Sequence, residues 1–297
     1  MRAINMNIYN QPAFDLAISE FDLSVAGTRL HVRRIVQRNR EMAPGRPVLV
    51  FLHEALGSIS LWRDFPEALA AGCGCDALVY DRPGSGRSAA LTEERGLDYL
   101  HHQAQVVLPA LLEACGIEQI IPVGHSDGGS IALLFAAAFP EKTARLITEA
   151  AHIYVEEITL EGIRAAVEAY HDPATELARK LRRHHREKTE ALFAAWHRTW
   201  QSPAFRNWNI EAYLPQIQAP LLAIQGAADE YATPAQLQTI VSQVGGPAEA
   251  LLIPDCPHTP HRKARDIVLK AMTRFINTAF SHRATELTEK RQLKTDN

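Results

Sequence analysis

The 297-residue sequence is short of the features that mark most specialised protein classes. It has four cysteines, Cys73, Cys75, Cys115 and Cys256. Cys73 and Cys75 are too close for a structural zinc pair, and no second pair matches them. Reduced thiols in a cytoplasmic protein are the expectation. The stretch Met1–Phe14 lacks the basic start and apolar run of a signal peptide. No apolar run approaches the length of a membrane span. The formal net charge of -3 supplies no long-range field for nucleic acid or membrane. Basic clusters at Arg179-Lys180 and Arg182–Arg186 alternate with acidic and apolar residues at helical spacing, as on a solvated helix face. There are no repeats and no low-complexity segment. No metal, cofactor, nucleic acid or membrane partner is expected; a homodimer is left open.

What is present is ordinary in bulk and specific in pattern. Apolar residues make up 46% and charged residues 22%, as in a soluble globular protein. The length suits one large α/β domain with an insertion. Phe21–Val25 and Leu30–Val36 flank Ala26-Gly27-Thr28 and read as a hairpin. Short apolar runs then alternate with helical spacing. Strands are expected at Val48–Leu52, Ala77–Tyr80, Ile120–Val123, Leu146–Thr148, Pro220–Ile224 and Ala250–Ile253. Helices are expected at Leu61–Ala71, Leu97–Cys115, Ile131–Phe139, Pro234–Val244 and Arg262–Ala279. From Tyr154 to Trp208 only helical patterns occur, punctuated by Asp172-Pro173. This order predicts an α/β fold: a mostly parallel eight-stranded sheet with helices on both faces and an inserted helical lid. The expected division is a core of residues 15–152 and 209–281, a lid of 153–208 and a polar tail of 282–297.

One motif stands out. Gly124-His125-Ser126-Asp127-Gly128 follows an apolar β-branched run and precedes a helical one. A serine at such a strand-to-helix turn presents its hydroxyl beside a helix N-terminus. The turn is tight enough that a β-carbon at Gly124 or Gly128 would meet neighbouring backbone. Ser126 is therefore the candidate nucleophile. It needs a base within hydrogen-bond reach, because a free hydroxyl holds its proton at neutral pH.

Further motifs occur in a fixed order around it. They are Leu52-His53-Glu54-Ala55-Leu56-Gly57, Asp81-Arg82-Pro83-Gly84-Ser85-Gly86-Arg87-Ser88, Gln225-Gly226-Ala227-Ala228-Asp229 and Pro257-His258-Thr259-Pro260-His261. With the elbow at Ser126, the chain resembles the α/β-hydrolase family, and within it the lid-bearing serine hydrolases, from about Phe21 to Ala279. The resemblance implies a triad of Ser126, Asp229 and His258. It assigns the oxyanion donors to the amides of Ala55 and Asp127. One position departs from the family pattern: Glu54 stands where glycine is usual. A glutamate requires ordinary dihedrals there, so a variant loop path is expected.

The rival residues stay in view. His261 neighbours His258 and is expected to cap the last helix or line the pocket. Glu230 is one position off the acid motif, and Asp255 is too close in sequence to His258 to reach its ring. Glu149 remains an alternative acid, since some family members place theirs at the end of that strand. The Asp127 side chain is expected to serve the start of its helix. Glu54, Trp62 and His125 are candidate substrate contacts, with the Glu54 carboxyl expected chiefly to bond its own loop. Trp196 and Trp200 are expected to pack inside the lid. The function implied is a cofactor-free hydrolase that cleaves a small carboxylic ester or lactone through an acyl-enzyme. Two alternatives are a carbon–carbon hydrolase of ring-cleavage products and a slow-turnover receptor on the same fold. Haloalkane dehalogenase and epoxide hydrolase are disfavoured, because their nucleophile is an aspartate where this chain has Ser126.

Overall fold

The computed structural model describes residues 7–11, 15–38 and 46–278. The polar tail expected at 282–297 lies outside the described residues. The strands are β1 (Asn7–Gln11), β2 (Leu16–Val25), β3 (Thr28–Gln37), β4 (Val48–Leu52), β5 (Ala77–Tyr80), β6 (Ile120–His125), β7 (Leu146–Glu149), β8 (Leu221–Gly226) and β9 (Ala248–Ile253). They form one sheet in the order β1-β2-β3-β5-β4-β6-β7-β8-β9. Pairing is antiparallel from β1 to β5 across β2 and β3, and parallel from β5 to β9. All eight expected strands are present. The sheet has nine, because β1 adds to the edge of β2 with Ile8 opposite Ser19. Its Asn-Ile-Tyr-Asn-Gln sequence carries no apolar run. An edge strand is recruited by the backbone groups of its neighbour, so a pattern search passes over it.

The opening hairpin turns through Ala26 and Gly27, both at positive φ (47° and 77°), as a two-residue turn between right-twisted strands requires. The central strands are buried on both sides. In β4, Leu49 and Phe51 face one apolar cluster while Val50 and Leu52 face the other. That two-sided burial is why these strands read as continuous apolar runs rather than as alternation.

The helices are α1 (Phe65–Cys73), α2 (Tyr99–His102), α3 (Leu108–Ala114), α4 (Asp127–Ala138), α5 (Glu157–His171), α6 (Leu177–His185), α7 (Thr189–Gln201), α8 (Pro234–Gln243) and α9 (Pro260–Lys263). A π-helical turn at Gln103–Val107 joins α2 to α3. Residues 265–278 are helical again after a break at Ala264. The single long helix expected at 262–279 is therefore divided and begins earlier. Proline at 260 favours a helix start, because its missing N–H would have no intrahelical acceptor. Between β7 and β8 the long elements are all helical, α5, α6 and α7, joined by short 3₁₀ turns and closed by an isolated bridge between Tyr154 and Asn209. Asp172 separates the first two by accepting the Ala174 N–H at 2.9 Å.

On the β2–β3 surface Glu20 gathers positive partners: Arg33 at 2.7 Å, Arg87 at 2.8 Å and His31 at 3.4 Å. The His31 ring, with Arg33, holds the Glu20 carboxyl down at about 2, against the opposing effect of burial. A carboxylate depressed in the fold stabilises it above the unfolded value of about 4.3, and that contribution disappears as pH falls through the folded value. Glu20→Gln should lower Tm at pH 7 by about 2–4 °C, which is about 1 kcal/mol for a partly screened group. The difference from wild type should shrink steadily between pH 4.3 and 2. Thermal melts across that range check it; a constant offset would assign the effect to packing.

Candidate active site

β6 ends at His125 and α4 begins at Asp127. Ser126 lies between them at φ 54°, ψ -119°, outside the regions where a side chain is comfortable. The strained residue is clamped on both sides. Its N–H donates to the Glu149 carbonyl at 2.8 Å, and its carbonyl accepts from Gly129 N–H at 2.8 Å. The two motif glycines are required by close approach. A β-carbon on Gly124 would overlap the Gly128 carbonyl, and one on Gly128 would overlap the Leu52 carbonyl of β4.

Ser126 opens into a cavity of about 490 Å³. His258, in the loop after β9, brings Nε2 to 2.9 Å from Ser126 Oγ. Its Nδ1 lies 2.8 and 3.0 Å from the two carboxylate oxygens of Asp229, which follows β8. With Asp229 ionised, Nδ1 donates and Nε2 is left to accept from the serine hydroxyl. Burial opposes the Asp229 charge, but the His258 hydrogen bond and the Tyr231 N–H at 2.8 Å outweigh it and hold the carboxyl below its ordinary range. The neighbouring Glu230 accepts the His258 backbone N–H at 3.0 Å and so shapes the loop.

The other acids stand elsewhere. Glu149 binds His261, accepting from its backbone N–H and from Nδ1 at 2.8 Å. Asp255 is exposed on the loop before His258. His261 itself is buried against Trp62 and does not line the cavity.

Glu54 and His125 form a third imidazole–carboxylate pair, with Nδ1 3.4 Å from Oε2. His125 Nε2 donates to the His258 carbonyl at 2.8 Å. Burial disfavours the imidazolium, yet the Glu54 carboxylate overcomes it and raises His125 to about 9. Burial likewise opposes the Glu54 charge, and the bond to His125 holds that carboxyl well below its ordinary range. Both residues line the cavity beside Ser126. Glu54 is not among the residues at positive φ, so the loop takes a path that a glutamate can adopt.

Ala55 and Asp127 also border the cavity. Asp127 is the first residue of α4, where an N–H has no intrahelical acceptor. Its side chain points away into the protein, accepting the Tyr99 hydroxyl at 2.9 Å and facing Arg82 at 3.4 Å.

Trp62, expected as a substrate contact, lies in the core. Its ring does not reach the cavity but packs between Phe51, Phe65 and His261, with centroids 5.3, 6.3 and 4.6 Å away. The short 3₁₀ turn at Ile59–Leu61 directs Leu61 and Arg63 to the cavity and Trp62 to the core. Trp196 and Trp200 do more than pack among the inserted helices, since both also line the cavity. Two aromatic neighbours of His258 were not singled out from sequence: Tyr231 and His152, with ring centroids 4.7 and 5.8 Å away. Neither belongs to a motif, and only the folded loops bring them there.

Comparison with known proteins agrees with this architecture. Residues 47–239 match the alpha/beta hydrolase fold family. A 2-hydroxy-6-oxononadienedioate/2-hydroxy-6-oxononatrienedioate hydrolase of Paraburkholderia phymatum is 30% identical over 162 residues, covering 52% of this chain and 53% of that protein. A 2-succinyl-6-hydroxy-2,4-cyclohexadiene-1-carboxylate synthase of Klebsiella pneumoniae is 30% identical over 168 residues, 56% of this chain and 58% of that protein. The chain thus spans little more than half the length of these two relatives. The structure of an enol-lactonase from Burkholderia xenovorans LB400 superposes with a TM-score of 0.67 at 20% identity, over 86% of this chain and 99% of that one. More than half of the chain carries the family pattern, and the protein belongs to the alpha/beta hydrolase fold family.

Proposed function

We propose that the protein is a serine hydrolase that cleaves a small carboxylic ester or lactone. The observation that carries this reading is the unbroken contact Ser126 Oγ–His258 Nε2–Asp229 at the base of the cavity. Ser126 attacks the substrate carbonyl while His258 Nε2 takes its proton. The amides of Asp127 and Ala55 hold the oxyanion. Asp229 keeps Nδ1 protonated and stabilises the imidazolium. His258 then gives the proton to the leaving oxygen, and a water repeats the cycle on the acyl-enzyme. The inserted helices α5–α7 act as a lid that shapes the acyl site. They contribute Ile163, Leu181, Trp196 and Trp200 to the cavity wall.

A second reading has its own support. A carbon–carbon hydrolase acting on a dioic acid needs cations near the bound substrate. Arg63, Lys180 and Arg262 border the cavity, and none forms an ion pair with a carboxylate among the described residues. The same three catalytic side chains serve either reaction.

Ser126→Ala should lower turnover of a p-nitrophenyl ester by about 10³ or more without lowering Tm, because only the covalent path is lost. A folded variant that retained activity would remove Ser126 from its role. His258→Ala should match that loss. His261→Ala should keep most of kcat but lose stability, since it strands the buried Glu149 carboxylate; the reverse outcome would make His261 the base. Lys180→Ala with Arg262→Ala should separate the two readings. Under the dioic-acid reading KM for a dioic ring-cleavage product rises about tenfold or more, while KM for a neutral aryl ester holds. Equal, small changes on both substrates favour the ester or lactone.

A further inference from the structure

The catalytic reading above leaves one buried charged cluster without a task. The Glu54 carbonyl accepts from His53 Nδ1 at 2.7 Å and from Arg82 Nη2 at 2.8 Å. That carbonyl shares a planar trans peptide with the Ala55 N–H, so fixing its direction fixes the N–H in the opposite direction. The same guanidinium reaches the Asp127 carboxylate, with Nη1 and Nη2 at 3.5 and 3.4 Å from Oδ2. Asp127 supplies the other amide. Its Oδ2 also accepts the Tyr99 hydroxyl at 2.9 Å, and the Tyr99 oxygen accepts from Trp200 Nε1 at 2.8 Å. Arg82 is 3% exposed, Tyr99 8% and Trp200 2%, so water cannot substitute for these contacts. Neither Arg82 nor Tyr99 lines the cavity.

A buried ion pair is poor value as a stabiliser, because desolvation of both charges offsets their attraction. Apolar residues could fill the same volume. What they could not do is hold the Glu54–Ala55 peptide and the Asp127 side chain from one rigid fork. Arginine suits that task, because its guanidinium is planar and presents several donors in fixed directions. Burial and the Asp127 charge push the Tyr99 hydroxyl well above its ordinary value, so it stays protonated and donates to Asp127.

We propose that Arg82 is a positioning residue that aims both amide donors, Ala55 and Asp127, at the oxyanion, with Tyr99 bracing Asp127 from the other side. This rests on the serine-hydrolase reading. Trp200 extends the brace from the cavity wall, linking the inserted helices to the elbow.

The test uses the full chain, p-nitrophenyl butyrate and 1,1,1-trifluoro-2-hexanone. The ketone carbon receives a bond from Ser126 Oγ, the serine proton passes to His258, and the ketone oxygen becomes an anion that needs both amides. Arg82→Lys keeps the charge but has one nitrogen in place of the fork. It should lower kcat about tenfold or more, leave KM within about twofold, and weaken ketone binding in step with kcat, given that a lost oxyanion donor costs about 10²–10³. Tyr99→Phe should move kcat and ketone binding the same way by a smaller factor. If both variants lose Tm but keep kcat and ketone affinity, the cluster is structural and the proposal is overturned. If Arg82→Lys does not fold, Tyr99→Phe decides by the same two readouts. Fluorophosphonate labelling of wild-type Ser126 separates the two levels: no labelling overturns the serine-hydrolase reading along with this one, whereas normal labelling with unaffected variants overturns this one alone.

Discussion

A serine at φ 54° does not stay there by its own preference. A residue in so sparsely populated a region costs on the order of 1–3 kcal/mol, and it persists only where surrounding structure over-determines it. Here the surroundings are β4, β6, β7 and α4 packed so closely that two glycines are obligatory. Gly128 sits on the Leu52 carbonyl and Gly124 on the Gly128 carbonyl. The apolar clusters on both sides of the sheet press these elements together. The placement of Ser126 follows from that compression. It lifts Ser126 Oγ clear of the sheet and starts α4 directly behind it. It also leaves Asp127, the first residue of α4, at the cavity edge.

The second constraint is charge. Beneath and beside Ser126 lie three imidazole–carboxylate pairs: His258 with Asp229, His261 with Glu149, and His125 with Glu54. Buried ions are tolerated when each has its partner, and removing one partner leaves an uncompensated charge. The three pairs divide the labour differently. Only the His258 pair has a ring nitrogen turned to the serine hydroxyl. The His125 pair borders the cavity, and the His261 pair ties the start of α9 to the end of β7. A glutamate fits at position 54 because its φ is not positive and its carboxylate meets His125.

Much of this was legible before folding. Two-sided burial makes parallel strands into apolar runs, so β4 to β8 could be read directly. The motifs that carry the family resemblance pointed to Ser126, Asp229 and His258, and the three side chains do meet. Trp62 was misread because a single 3₁₀ turn decides whether residue 61, 62 or 63 faces the cavity. β1 was missed because backbone pairing at an edge needs no apolar signature. His152 and Tyr231 had no motif to announce them, and Arg63, Lys180 and Arg262, which form no ion pair with a carboxylate among the described residues, come from three distant segments.

The sequence by itself determined the elements and the turn chemistry, since both depend on neighbours a few residues apart. Hydrophobic period, proline, glycine and the strand–elbow–helix succession are local. What tertiary structure alone decided is which histidine meets which carboxylate. Glu149 and Asp229 both follow buried strands, and His258 and His261 lie three residues apart, so spacing leaves either pairing open. The register of β7 with β8 and the bend at Thr259 send Glu149 to His261 and Asp229 to His258. A hydrogen bond acts over about 3 Å, and only the packed fold sets distances between residues 29 and 112 apart in the chain to that tolerance.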